Sequence, residues 1–296
     1  MQIKILENPS DDIIIENIKF GFPFKITNRM NKWPLINKWN INFFRRNYGN
    51  YKVTVKNLNL DFFFTIENWT LNKYLDYVEN KNDKSLYYAS DVLINSLSPE
   101  LLNDYDMDFI KDIDVLRTYF NFIDFRWVFV GKKNTFTGLH CDIYNTSAWL
   151  GLISGKKRFY IYNESDSEKI REFGNLDGIN IMELDQLLET FFDSLNPIIV
   201  DINPGEIIFT PSRWYHYVIN LETSIALTEN FCHTEIERNV RLELYKENDI
   251  STYFEFIFVT NTISCLLGLI TVVLLLVSLF NFTFKTIINK KLLVRI

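Results

Sequence analysis

The stretch TFTGLHCDIYNTSAWLGLISGKKRFY, residues 135–160, decides how this chain is read. It places His140 two residues before Asp142 in an apolar, strand-like segment, in a chain with only 3 histidines. Along a β-strand, residues i and i+2 point to the same face. His140 and Asp142 therefore project together, with Cys141 and Ile143 on the other side. Alone the triplet is weak, because a hydrogen-bonded core histidine is commoner than a metal ligand.

A second stretch, NPGEIIFTPSRWYHYVINLETSIALTENF (residues 203–231), supplies what the first lacks. Pro204-Gly205 turns the chain into one strand. A further turn at Pro211-Ser212 leads into WYHYVI, which carries His216. Two histidines and an aspartate, one pair adjacent and one remote, fit the 2-His-1-carboxylate triad of non-heme Fe(II) oxygenases. A structural zinc site would close its shell with four protein ligands, usually thiolates among them, and Cys141 faces away. The open positions of such a triad call for a cosubstrate. A dicarboxylate such as 2-oxoglutarate then needs a cation for its far end. In the strand after the turn SGKK, Lys157 shares a face with Phe159 and Ile161, where an unpaired ammonium is costly unless a carboxylate meets it. A strand-end lysine that snorkels to water is the plain alternative. Arg158 on the opposite face and Lys156 on the turn read as solvated.

The surrounding pattern is a run of short strands with tight turns: RWVFVG, TGLHCDIY, AWLGLI, RFYIY, EIIFTP, WYHYVI and SIALTENF. Such spacing predicts a barrel or jelly roll. Upstream the chain is mixed. Residues 51–66 alternate as strands do. Leu71, Tyr74, Leu75 and Val78 recur at helical spacing, and SPELLNDY opens like a capped helix at Ser98 with Pro99 first.

These residues resemble the JmjC (Jumonji-C) family of Fe(II)/2-oxoglutarate oxygenases, in its small branch without reader domains that includes protein lysyl hydroxylases. TGLHCDIYNTSAWLGLISGKKRF is similar to the family's T-x-x-H-x-D stretch, the following strand and the G-x-K-[RK]-[WF] turn. PGEIIFTPSRWYHYVINLETSIALTENF is similar to its P-G-[DE]-x-[IV]-F-x-P-x-x-W-x-H block and the N-L-[DE]-x-[ST]-I-[AS] continuation. The likeness covers roughly residues 21–233. It implies iron ligation by His140, Asp142 and His216, with Lys157 pairing the far carboxylate of 2-oxoglutarate. It places the hydroxyls of Thr137 and Tyr87 on that carboxylate, and Thr228 and Asn230 along the cosubstrate pocket. Leu150 departs from those relatives that have asparagine there, which removes one amide contact. The implied fold is mainly β with flanking helices around a double-stranded β-helix (jelly-roll, cupin-like) core; the one C-terminal transmembrane helix of the expected fold is read from the uncharged run 256–284, which lies outside the likeness. The implied chemistry uses Fe(II), with 2-oxoglutarate and O₂ as cosubstrates, to hydroxylate a protein side chain as a lysyl hydroxylase does. The alternatives are a demethylase of methyl-lysine or methyl-arginine, and a catalytically silent, membrane-tethered JmjC binding module.

The 47% hydrophobic and 23% charged composition supports a folded core. From Phe256 to Phe284 there is no charged residue, a run longer than the roughly 20 residues that cross a bilayer. After it come Lys285, Lys290, Lys291 and Arg295 and no acid. The rest of the chain then holds 27 bases against 37 acids, net charge near −10. So acidic a body favours a basic protein substrate and disfavours direct nucleic-acid binding. The 3 cysteines, Cys141, Cys232 and Cys265, form no short-spaced pair, as expected of a reducing compartment. The opening MQIKILENPSDDIII carries acids too early for a signal peptide. The expected organisation is an N-terminal mixed part (1–115), a JmjC core (116–234), a charged connector (235–255), a transmembrane helix (256–284) and a basic tail (285–296). The helix would act as a tail anchor with the enzyme domain in the cytosol; a homodimer is left open. His233 reads as a surface histidine, Cys232 as a small buried hydrophobe, and the Asn145 acceptor motif as chance.

Overall fold

Alternation along the later strands sets the layering. The segment KRFYI buries Lys157, Phe159 and Ile161 and leaves Arg158 and Tyr160 partly exposed. Its neighbour IIVDI buries Ile198, Val200 and Ile202 while Ile199 faces out. One face of this sheet therefore looks inward. The structure, a computed structural model, describes residues 2–58, 66–106, 108–116 and 125–246. Residues up to Glu243 form one compact unit.

Its strands are β1 (Lys4–Glu7), β2 (Phe24–Thr27), β3 (Lys52–Asn57), β4 (Ile66–Thr70), β5 (Tyr87–Leu93), β6 (Arg126–Gly131), β7 (Phe136–His140), β8 (Ser147–Ser154), β9 (Lys157–Ile161), β10 (Ile198–Ile202), β11 (Ile207–Thr210), β12 (His216–Asn220) and β13 (Ser224–Phe231). The small sheet runs β10-β9-β12-β7, and the large one β1-β2-β11-β8-β13-β6-β5-β3-β4. Strands β6 to β13 thus make two four-stranded faces, the jelly-roll arrangement. N-terminal strands extend the larger face at both edges. The β1/β2 pair is parallel, which makes that sheet mixed.

Both faces of the large sheet are covered, so β13 is buried along its whole length instead of alternating. Toward the small sheet, Leu150, Leu152 and Ala226 meet Phe159, Ile161 and Val218. On the other side, Trp149, Ile153 and Leu227 belong to the core built with Ile14, Trp39, Phe44 and Tyr74. Each leucine, isoleucine, valine and phenylalanine among them contributes roughly 1.5–3 kcal/mol through burial. The outer face of the small sheet is covered through Ile170 and Leu195, with helices Glu164–Phe173 and Gln186–Asp193 alongside.

Several expectations meet the structure directly. RWVFVG and SIALTENF are β6 and β13. Helix Leu71–Glu79 buries the four residues named from its spacing, and Thr70 caps it by accepting from the Lys73 N–H at 3.2 Å. Two expectations need correction. Ser98 does cap, but the turn Pro99–Asp104 is a 3-10 helix. The strand through His140 stops there, and Asp142 instead opens the short 3-10 turn Ile143–Asn145. Left-handed backbone at Tyr144 (φ 52°) and Asn145 (φ 55°) reverses the chain at that point, which continued pairing would forbid. Among the described residues, no helix is long and apolar enough to cross a membrane. The run 256–284 lies outside the described residues.

Candidate metal centre and anion pocket

His140 closes β7 and His216 opens β12, and the two stand opposite each other in the antiparallel register. Their rings lie 4.2 Å apart between centroids. Each ring is fixed through its own backbone: Nδ1 of His140 lies 2.8 Å from the Gly138 carbonyl, and Nδ1 of His216 lies 3.1 Å from that of Trp214. A carbonyl only accepts, so each Nδ1 carries the proton and each Nε2 keeps its lone pair. Burial pushes both imidazoles down to about 4, which keeps them neutral and able to ligate at neutral pH. Left-handed Arg213 (φ 67°) shapes the turn that delivers His216.

Asp142 reaches the same point from the turn. Its Oδ1 accepts from Asn230 Nδ2 at 2.9 Å, whereas its buried Oδ2 has no hydrogen-bond partner and lies 3.9 Å from His216 Nε2. Burial raises the pKa of this carboxyl. One ligand atom from each of the three residues lies within 4.8 Å of the others. Two neutral imidazoles and an orphaned carboxylate oxygen are a donor set that fits a divalent iron with open positions. The expected trio is therefore brought together, although by a strand end and a turn and not by one strand face. Cys141 packs with Phe136, Leu139 and Tyr217 on the outer side of the small sheet, and burial raises its thiol pKa. It takes no part in the trio.

Asn230 also donates to Thr146 Oγ1 at 3.0 Å, so its amide locks the Asp142 turn to β13. Such outer hydrogen bonds are worth about 10- to 100-fold in metal affinity. Asn230→Ala is accordingly expected to weaken Mn(II) binding by about that factor in a competition titration with a fluorescent chelator.

A cavity of about 480 Å³ joins this centre to Lys157. Its wall includes Trp127, Phe129, Leu150, Phe159 and Val218, together with Thr137, Thr228 and Asn230. Lys157 is 1% exposed. Its Nζ donates to Asn220 Oδ1 at 2.7 Å and Tyr88 Oη at 3.2 Å, and no carboxylate pairs with it among the described residues. Burial lowers its pKa to about 7. A buried cation in an apolar cavity, without a counter-ion, is a receptor for an anion. Of the other expected contacts, Thr137 reaches the cavity, and Thr228 does so while donating to the Trp149 carbonyl at 2.7 Å.

Tyr87 is a correction. It stacks obliquely on Trp69 at 5.0 Å and lies edge-on to Tyr77, away from the cavity. Side chains alternate along β5, so its neighbour Tyr88 presents the hydroxyl to Lys157. Asn220 opens the N-L-[DE] continuation, which gives it no role by itself; the pairing of β12 with β9 sets it against Lys157. His233 is buried at 2% exposure, against the surface reading, with Nδ1 2.8 Å from Glu235 Oε2. Lys156 and Arg158 are partly exposed but share Asp201. Cys232 is buried as expected.

A cupin-like domain model matches residues 15–236. The chain belongs to the cupin-like domain family. Among curated relatives of this cupin-like chain, "Arginine-specific demethylase JMJ22" of Arabidopsis thaliana is 26% identical over 82% of the chain and 46% of its own length. "Bifunctional arginine demethylase and lysyl-hydroxylase psr-1" of Caenorhabditis elegans is 26% identical over 72% of the chain and 56% of its own length. "2-oxoglutarate and iron-dependent oxygenase JMJD4" of Danio rerio is 29% identical over 53% of the chain and 39% of its own length. The JmjC resemblance drawn from the sequence is borne out by these matches. The chain spans about half, or less, of the length of these relatives.

Proposed function

We propose that this cupin-like chain is an Fe(II)- and 2-oxoglutarate-dependent oxygenase that hydroxylates a protein side chain, as a lysyl hydroxylase does. One observation carries the reading: the three converging donor atoms and the unpaired buried Lys157 ammonium open into the same cavity. Bound at the trio, Fe(II) supplies the O₂ activation and the oxidative decarboxylation of 2-oxoglutarate that drive hydroxylation.

The chain's own residues do the rest. His140 and His216 present Nε2 because their backbone carbonyls hold the other nitrogen. Asp142 presents Oδ2 because Asn230 occupies Oδ1. Lys157 receives the distal carboxylate of the cosubstrate, with the Tyr88 hydroxyl, not that of Tyr87, beside it. Trp127, Phe129 and Phe159 in the cavity wall exclude water from the reacting centre. Leu150 offers no amide to the cosubstrate, so the cation and the chelating end carry its affinity.

Demethylation is the second reading. Two of the relatives above are named as arginine demethylases, and hydroxylation of an N-methyl carbon needs the same centre. A silent binding module explains neither the orphaned Asp142 oxygen nor the unpaired Lys157. The acidic body favours a basic protein partner.

The uncharged run 256–284 supports membrane anchoring; a cytosolic side for the oxygenase domain is part of this proposal. Protease protection of that domain in intact microsomes would overturn this placement. For the activity itself, the full chain in mild detergent is loaded anaerobically with Fe(II) and titrated with 2-oxoglutarate. A visible charge-transfer band that saturates is the expected result. A folded, iron-loaded protein without the band sinks the reading.

A further inference from the structure

We infer that Asn220 is the positioning residue that aims the Lys157 amino group at the cavity and leaves it without a counter-ion for a dicarboxylate, and so sets the preference for dicarboxylate over monocarboxylate cosubstrates. The inference rests on the 2-oxoglutarate reading above and names a residue that the reading does not use.

The amide's orientation follows from its neighbours. Asn220 Nδ2 lies 3.1 Å from the Thr135 carbonyl and 2.9 Å from Thr135 Oγ1. A carbonyl can only accept, so the nitrogen must face Thr135 and the oxygen must face the cavity side. That oxygen accepts from Lys157 Nζ at 2.7 Å and from Ser224 Oγ at 2.6 Å. Asn220, Thr135 and Ser224 are all buried, at 1%, 0% and 0% exposure. The amide's donors and acceptors are therefore satisfied within the protein, and it cannot swing away.

The fold makes room for this amide. A Cβ on Gly131 would stand 2.2 Å from Asn220 Nδ2, so a side chain there would displace it. An ammonium has three N–H donors. Asn220 and Tyr88 take two, which leaves one for an incoming carboxylate. A neutral acceptor thus aims the ammonium without cancelling its charge. A carboxylate at position 220 would set one oxygen against the Thr135 carbonyl, acceptor against acceptor, and its other oxygen would hold Lys157 in an internal ion pair that a distal carboxylate must first break.

The test compares 2-oxoglutarate with 2-oxovalerate, which keeps the chelating end and lacks the distal carboxylate. Binding of each to the full-length, Mn(II)-loaded protein is measured by calorimetry, with the thermal midpoint as the check on folding. The preference for 2-oxoglutarate is expected to fall at least about tenfold in Asn220→Asp, since hydrogen bonds to charged groups carry that much discrimination. Mn(II) affinity and 2-oxovalerate binding are expected to stay as they are. Asn220→Ala, which removes the acceptor and leaves Tyr88 as the tether, is expected to lose several-fold and carries the test should the aspartate variant not fold. A folded variant of either kind with the wild-type preference overturns the inference and leaves the proposed function standing. Wild-type protein that binds neither oxo acid sinks both.

Discussion

His216→Ala is expected to leave a folded protein that no longer holds a divalent metal. Two donors would remain, His140 Nε2 and the Asp142 oxygen, and the face they define has lost its third corner. The loss should exceed the roughly 10- to 100-fold that removal of an outer hydrogen bond costs. Structurally the change is smaller. His216 donates one hydrogen bond, to the Trp214 carbonyl, and its ring contacts His140. Removing them leaves a small void and one unpaired carbonyl, a cost of about 1–3 kcal/mol. The backbone of β12 stays clamped between β9 and β7. Equilibrium dialysis against Mn(II), with a thermal melt in parallel, separates the two effects. Wild-type affinity in the variant would mean that the trio is not the metal centre.

That centre was legible because each ligand carries a local signal: His140 and Asp142 sit two apart, and His216 follows a Pro-Ser turn. The reason given for their convergence was nonetheless incomplete. Strand alternation predicts a shared face, but pairing ends at His140, and the left-handed pair Tyr144 and Asn145 turns the chain instead. Nothing in a hydrophobic pattern marks such a reversal. The same limit applies to Tyr87. Adjacent tyrosines in SLYYASD are equivalent as types, and only the phase of β5 against β6 decides which one meets Lys157. Asn220 lies further out of reach, since its role depends on register between two strands far apart in sequence. Helix Glu164–Phe173 was missed because it is almost entirely polar, with Ile170 its one buried large apolar residue. Its start is set by Asn163, which accepts from the Asp166 N–H at 2.9 Å. Jelly-roll strands, by contrast, announce themselves: β6, β8, β9 and β13 are short apolar runs closed by turns, and their burial follows from the sheets on either side.

Lys157→Met is expected to destroy 2-oxoglutarate binding while making the ligand-free protein more stable. Both results have the same cause. Burial lowers the lysine pKa from 10.5 to about 7 because its charge is poorly solvated. Below pH 7 the folded and unfolded chains both carry that proton, so the full penalty of the buried charge falls on the folded state. Between pH 7 and 10.5 the unfolded chain binds more protons than the folded one, and stability rises with pH. Methionine has a similar length and no charge, and its flexible thioether fills such a slot. Asn220 Oδ1 keeps its donor from Ser224, so the substitution orphans no acceptor there. The gain near pH 6.5 is on the order of a few kcal/mol, with each kcal/mol worth about 2–4 °C in thermal midpoint. The pH dependence above 7 should flatten in the variant. Affinity moves the other way, by about 100- to 1,000-fold, as when one member of a buried ion pair is removed. In the wild-type protein, 2-oxoglutarate affinity should fall about tenfold per pH unit above 7, since the ligand must then bring back a proton. Melts from pH 6 to 9 with and without 2-oxoglutarate read all of these effects. A variant less stable than wild type at pH 6.5 would show that Lys157 already has its counter-charge, and the anion pocket would lose its physical basis.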